Sequence, residues 1–195
     1  MDHMKEHLKI AIRFTLVTTF IFGLLYPLSL TGLSQLLFPH QSNGSLITNA
    51  GAVAGSFLIG QPFTADKYFH SRPSNAGTGY DATSSSPSNL GPTSKQLTDR
   101  VHADVLKLQQ ENPGQPIPVD LVTASGSGLD PDISPAAAIF QIPRVARARG
   151  ITPEQVHALL QTLVQPRQFG ILGEPRVNVL RLNLDLDAKF PVNHP

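Results

Sequence analysis

The chain has 195 residues, of which 41% are hydrophobic and 15% charged, with a formal net charge of +1 and no cysteine. A near-neutral balance without a basic stripe and interleaved aromatics argues against a nucleic-acid binder, and a chain without cysteine gains no disulfides even in an oxidising compartment. The length suits one or two domains, but the apolar residues are unevenly spread and crowd towards the N-terminus.

Phe14 to Phe38 is a run of 25 residues without a charged side chain. As a helix it would be roughly 37 Å long, more than the roughly 30 Å hydrocarbon core of a bilayer. A cleaved signal has a shorter apolar region followed by small residues, whereas this run meets Leu36, Leu37, Phe38 and Pro39. An uncleaved membrane anchor is the expectation, with Pro27 a candidate kink. Lys5, Lys9 and Arg13 precede it, and the next Lys or Arg is Lys67. The positive-inside rule then puts residues 1–13 in the cytoplasm, a transmembrane helix at 14–38 and residues 39–195 outside, as one mixed α+β domain. Thr15, Thr18, Thr19 and Phe22 share one side of the span and are candidates for packing against another helix. Threonine can equally bond its own helix.

Ser45 to His70 carries short apolar runs broken by glycine, which predict strands. Ser71 to Ser94 is rich in Ser, Pro, Asn and Gly, and so reads as a long loop. Its Arg72, Asp81 and Asn89 either bond back into the loop or meet a partner. A helix is expected from Thr93 or Ser94, with Thr93 and Gln96 at capping-box spacing and a stripe of Leu97, Val101, Val105 and Leu108. Asn112, Pro113 and Gly114 end it.

Pro116 to Gly150 reads as a strand, a Gly/Ser/Asp loop and a helix. Gly126 and Gly128 flank Ser127 where a turn would need positive φ. Ser134 and Pro135 start the helix, and Pro143 inside it should kink or split it. A Walker loop would need Lys and Ser or Thr after its last glycine, but Leu129 and Asp130 follow Gly128. A nucleophile elbow places glycines two residues from the serine; here they are one away. The loop therefore reads as a structural turn or a protein contact surface. The basic cluster Arg144, Arg147 and Arg149 is expected on a solvated face near the helix end, with a partner-facing role as the sharper alternative.

Thr152 and Pro153 start a third helix, with Val156, Leu159, Leu160, Leu163 and Val164 on one face. Arg176 to Asp187 alternates leucines with Arg181, Asn183, Asp185 and Asp187, which predicts a strand with one buried face. Asp185 and Asp187 would share its outer face, as a solvated pair rather than metal ligands, since hard cations take six or more oxygens. The seven histidines show no paired metal spacing.

Taken together, GSFLIGQPF at Gly55–Phe63, YFHSRPS at Tyr68–Ser74, SNLGPTS at Ser88–Ser94, PVDLVTASGSGLDPDISPAAA at Pro118–Ala138, QIPRVARARG at Gln141–Gly150 and RVNVLRLNLDLD at Arg176–Asp187 resemble the KdpC family, the C chain of the bacterial potassium-transporting ATPase. The stretch Ser84–Pro87 departs from the glycine-containing run expected before SNLG. The resemblance implies a non-catalytic accessory subunit of a high-affinity, ATP-driven potassium uptake complex in the bacterial cytoplasmic membrane. Its implied partners are the potassium-conducting subunit, the ATP-hydrolysing subunit, a small membrane subunit and the lipid bilayer, with no nucleic acid. The family is described as a catalytic chaperone that raises the ATP affinity of the hydrolysing subunit. No tightly bound cofactor is expected, and ATP would be met only through the complex. The chain lacks an aspartyl-phosphate DKTG motif, so ATP hydrolysis is expected of another subunit; no catalytic residue and no metal ligand is assigned here. The candidate partner contacts are Ser125, Gly126, Ser127, Gly128, Asp130, Asp132, Arg144, Arg147 and Arg149. The alternative is a membrane-anchored exported serine hydrolase using Ser125 or Ser127, which would need a base such as His102 or His157.

Overall fold

The structure, a computed structural model, describes residues 2–49 and 51–192. The chain forms two compact units, residues 1–46 and 47–195. In the first, α1 (Asp2–Thr18) runs into a π-helical turn (Thr19–Leu25), then α2 (Tyr26–Leu37) and the short α3 (Pro39–Ser42). His3–Leu37 is long and apolar enough to cross a membrane by length and composition. The irregular turn falls just before Pro27, whose ring would clash with a carbonyl four residues back in a regular helix. The Thr18 hydroxyl donates to the carbonyls of Phe14 (2.8 Å) and Thr15 (3.1 Å), and the Thr31 hydroxyl to that of Pro27 (2.8 Å). These threonine hydroxyls thus bond carbonyls of their own helix, the local pattern open to threonine within a helix.

The second unit is α+β. The strand β1 (Leu46–Asn49), which starts at the junction, pairs with β2 (Ala52–Ser56). The long segment 71–94 contains no helix or strand among its described residues, and α4 (Lys95–Glu111) follows. Of the two starts expected, Ser94 is the cap: its hydroxyl accepts from the Leu97 amide at 3.5 Å. The stripe Leu97, Val101, Val105 and Leu108 is half-buried.

The strand expected after Pro116 is not formed. Pro116 and Pro118 bring no amide to a ladder, and the chain instead makes a 3₁₀ turn at Val119–Leu121. The order is turn, loop, a two-residue β3 (Asp132–Ile133), then α5 (Pro135–Arg149). Ser134 caps α5 by accepting from the Ala137 amide at 3.0 Å, and Gly150 ends it in the left-handed region at φ 66°. The helix is not split at Pro143. A capping box joins Thr152 and Gln155 at the start of α6 (Pro153–Leu163).

The C-terminal end also departs from the strand that its alternation predicts. Only Val177–Asn178 is strand (β4), antiparallel to β3 with Asp132 opposite Asn178 and Ile133 opposite Val177. Val179–Lys189 is a helix, α7, capped by Asn178 accepting from the Arg181 amide at 3.1 Å. Leucine is a strong helix former, and the buried positions Val179, Leu182, Asn183 and Leu186 follow helical spacing, which the leucine alternation masks. Asp185 and Asp187, two apart on a helix, therefore do not share a face.

The core lies where α5 packs on α6 and α6 on α7. Phe69, Val145, Val156, Leu160, Val177, Leu182 and Leu186 are fully buried there. Burying a side chain of this size contributes about 1.5–3 kcal/mol.

Candidate functional site

Two polar constructions stand on this core. The first is a clamp around Asp66–His70, an irregular segment whose backbone groups have no ladder to join. Asn183, 1% exposed, accepts from the Phe69 amide (2.8 Å) and donates to the Phe69 carbonyl (2.9 Å). Gln141, also 1% exposed, does the same for His70, at 2.8 and 3.2 Å. Arg144 donates to the carbonyls of Asp66 (2.6 Å) and Tyr68 (2.9 Å), to Glu111 (2.8 Å) and to Gln141 Oε1 (2.7 Å). Arg149 donates to the carbonyls of Lys67 (2.7 Å) and Phe190 (3.1 Å) and to Asp187 (2.8 Å). Every carbonyl from residue 66 to 70 thus accepts from a side chain of α5 or α7, which replaces the hydrogen bonds that a sheet would supply.

Tyr68 completes the clamp. Its hydroxyl donates to Asp187 at 2.9 Å, and the Arg149 guanidinium lies 5.2 Å from its ring centroid. Burial, with the neighbouring Asp187 carboxylate, raises the Tyr68 phenol above its ordinary range. Burial, with the Arg144 charge beside it, lowers the His70 imidazole.

Arg144 and Arg149 therefore do not sit on a solvated face. Both are buried, and Arg147 is the exposed member of the cluster. Arginines 144 and 149 carry planar donor forks that no other residue could aim at several carbonyls at once.

The second construction is the loop Ser125–Asp132 with the segment from Arg72 lying against it. The Ser125 hydroxyl accepts from the Gly128 amide (2.9 Å) and that of Ser127 from the Leu129 amide (3.0 Å). The Ser127 carbonyl accepts from the Ser86 amide (3.0 Å) and the Ser85 hydroxyl (2.9 Å), and Ser74 donates to the Gly128 carbonyl. Gly128, at φ 70°, is buried so closely that a Cβ there would lie 2.7 Å from the Ala76 nitrogen and the Ser86 oxygen. Gly126 is exposed and is not among the glycines of positive φ.

Arg72 ties the segment down through Asp130 at 2.9 Å and the Thr123 carbonyl at 3.4 Å. Asp81 accepts from the Thr83 amide and hydroxyl at 2.9 and 2.7 Å, so both side chains bond within this construction. Tyr80 donates to the Arg72 carbonyl, and burial pushes its phenol up to about 12, so it remains a neutral donor. Asn89 sits in the left-handed region at φ 53°.

Beside the loop is an open cleft of about 510 Å³ whose lining includes Arg72, Asp120, Asp130, Asp132, Glu174 and Arg176. Its charges are matched in place. Arg176 pairs with Asp132 at 2.9 Å, and Asp120 accepts from the Ser134 amide (2.7 Å) and hydroxyl (3.1 Å). Burial raises the Asp132 carboxyl, opposed by the Asn178 amide and Arg176. Among the described residues no group of three His, Asp or Glu is placed to hold a metal ion. His102 and His157 are exposed, and the His157 ring lies 3.3 Å from the Gln161 amide.

Of the candidate contact residues, Ser125 is half-buried, Gly126, Ser127 and Arg147 are exposed, Asp130 and Asp132 line the cleft, and Gly128, Arg144 and Arg149 are buried. Tyr68, Glu111, Gln141 and Asn183 were not singled out by sequence reasoning. The available signal was an amide or carboxylate at a position where helical spacing demands an apolar residue, as at Gln141 between Ala137 and Val145.

The family model that matches is KdpC, the K+-transporting ATPase c chain, over residues 8–188. The chain belongs to the KdpC family. A relative in Koribacter versatilis named potassium-transporting ATPase KdpC subunit is 54% identical over 192 residues, covering 98% of this chain and 100% of the relative. A KdpC subunit of Rhodospirillum rubrum is 57% identical over 178 residues, 90% and 92% of the two chains. One from Caulobacter vibrioides is 54% identical over 189 residues, 96% of each. The family is that of an accessory, membrane-associated subunit of a potassium-transporting ATPase. Three stretches that carry the resemblance meet at the clamp: Tyr68–Ser74, Gln141–Gly150 and Arg176–Asp187.

Proposed function

We propose that this chain serves a high-affinity, ATP-driven potassium uptake complex without catalysing a step itself, by stabilising the assembled complex from its outer face. The observation that carries this is the use of the site's polar groups. Ser125 and Ser127 accept from backbone amides of their own loop, and Arg144 and Arg149 hold backbone carbonyls. Such an arrangement fixes a shape, whereas a nucleophile needs an adjacent base to activate it.

The uncharged run Phe14–Phe38, with Lys5, Lys9 and Arg13 before it, supports a single crossing with the N-terminus in the cytoplasm. The exposed part of the loop, Gly126 and Ser127, with Asp130 and Asp132 beside it, is offered to the potassium-conducting subunit, and Arg147, exposed in the last turn of α5, is a separate candidate contact. The ATP-hydrolysing subunit and a small membrane subunit complete the set of partners. Thr15, Thr18, Thr19 and Phe22 are the span's candidates for helix contact, with the Thr18 hydroxyl also bonding its own helix.

The chaperone role described for the family, raising the ATP affinity of the hydrolysing subunit, is then exerted across the bilayer through the complex, without tight ATP binding by this chain. With the second unit outside, roughly 30 Å of hydrocarbon separates it from cytoplasmic ATP.

Protease added outside intact spheroplasts tests the arrangement. Digestion of the region after His40 is expected. Protection until the membrane is permeabilised would overturn the orientation and bring the second unit to the ATP side.

A further inference from the structure

Between α6 and β4 the chain makes a hairpin arm. Gln165 and Arg176 exchange backbone bonds at 2.8 and 3.0 Å, and Gln168 and Leu172 do so at 2.8 and 2.9 Å nearer the tip. Arg167 holds both Glu174 oxygens across the arm at 2.7 and 2.6 Å, and Arg176 ties its base to Asp132. The tip itself is apolar and bare: Phe169 is 88% exposed, Ile171 74% and Leu172 55%. Scattered exposed apolar residues need no explanation, but three together on one protruding turn do.

The turn also breaks a local rule. Phe169 and Gly170 take left-handed φ of 53° and 77°. Glycine adopts that region freely and asparagine or aspartate tolerate it, whereas a bulky side chain there is strained. Among the described residues no packing of the Phe169 ring offsets that strain, since the residue stands almost wholly in solvent. A sequence that accepts local cost to display an aromatic ring without internal packing signals a contact outside the chain.

The charge pattern decides between a lipid surface and a protein. Peripheral binding to lipid draws on unmatched basic residues around the apolar tip. Here the two arginines of the arm are bonded to Glu174 and Asp132, and no charge lies between Gln168 and Gly173. That neutral, aromatic-led tip fits a desolvated apolar pocket in a protein. Resting on the subunit reading above, we propose that the Phe169–Leu172 tip is an anchor that seats in an apolar pocket of another subunit of the potassium-transporting ATPase.

The test uses the full chain co-expressed with the other subunits. Phe169→Asn removes the ring but keeps a residue that tolerates left-handed φ, so the melting temperature of the chain alone should hold or rise. Its dissociation from the purified complex should quicken about tenfold, as expected for loss of an aromatic anchor. A photoreactive phenylalanine analogue in place of Phe169, irradiated in native membranes, should crosslink to an ATPase subunit. Dissociation of F169N at the wild-type rate overturns the inference, as does a probe that labels lipid alone. In those cases a wild-type complex that stays together leaves the subunit reading standing. A wild-type chain that holds no ATPase subunit at all sinks both.

Discussion

The side-chain amide of Asn183 on α7 closes two hydrogen bonds on the backbone of Phe69, accepting from its N–H at 2.8 Å and donating to its C=O at 2.9 Å. One buried amide does here what a neighbouring strand would do, and it seats the fully buried Phe69 ring in the core. Asn183→Leu keeps most of the volume and leaves both backbone groups without partners. Each orphaned group costs about 1–3 kcal/mol, so chemical denaturation of the variant should show a loss of about 2–5 kcal/mol. A loss below about 0.5 kcal/mol, the range of neutral surface changes, would contradict the clamp.

The neighbouring arginines give a contrast within one helix. Arg144→Lys keeps the charge but cannot reach Asp66, Tyr68, Glu111 and Gln141 together, and removing part of a buried charged network costs about 3 kcal/mol. Arg147→Lys, on the exposed side, should stay within about 0.5 kcal/mol. Equal effects in thermal melts of the two variants would mean that the basic cluster is one solvated face after all.

Replacing Ser125 and Ser127 together by alanine removes two acceptors of loop amides. Stability should fall by about 1–3 kcal/mol in total, while potassium-stimulated ATPase activity of the assembled complex stays within about tenfold, since both hydroxyls are spent on amides of their own loop. An assembled complex without activity would give this loop a direct part in turnover. An ester hydrolysis by the wild-type chain that the double variant loses would establish the exported serine hydrolase.

His70 supplies a pH dependence. Its imidazole is lowered by burial and by Arg144, so the unfolded chain binds the proton more tightly than the folded one. Its contribution to stability is therefore complete above the ordinary histidine value of about 6.5 and is lost as pH falls from there through the lowered folded value. His70→Gln should flatten the fall in melting temperature on acidification from neutral pH. A variant with the wild-type acid slope would show that His70 is not the group responsible.

Local chemistry was legible in the residues, and distant partnership was not. The starts of α5 and α6 could be read because Ser134 and Thr152 bond amides three residues on, within the same few positions of sequence. The 25-residue uncharged run announced itself by length alone. The clamp could not be read, because Phe69 and His70 are bonded by residues 114 and 71 positions away, and nothing in YFHSRPS says that its carbonyls lack a ladder. At α7 the leucines at 180, 182, 184 and 186 fit period two better than period 3.6, and the deciding fact, Asn183 buried beside Leu182, belongs to packing. The loop at Ser125–Asp132 is legible as a Gly/Ser/Asp turn, but its tie to the segment from Arg72 depends on two stretches meeting in space.

The proposed role makes this chain a standing, non-catalytic member of a potassium-transporting ATPase. Mild detergent extraction of native membranes, purification through this chain and identification of what remains bound tests it most directly. The potassium-conducting and ATP-hydrolysing subunits are expected to co-elute with it at a fixed ratio, with ATP hydrolysis following the complex. A chain that elutes folded and alone, with the ATPase intact and fully active elsewhere in the profile, would contradict it.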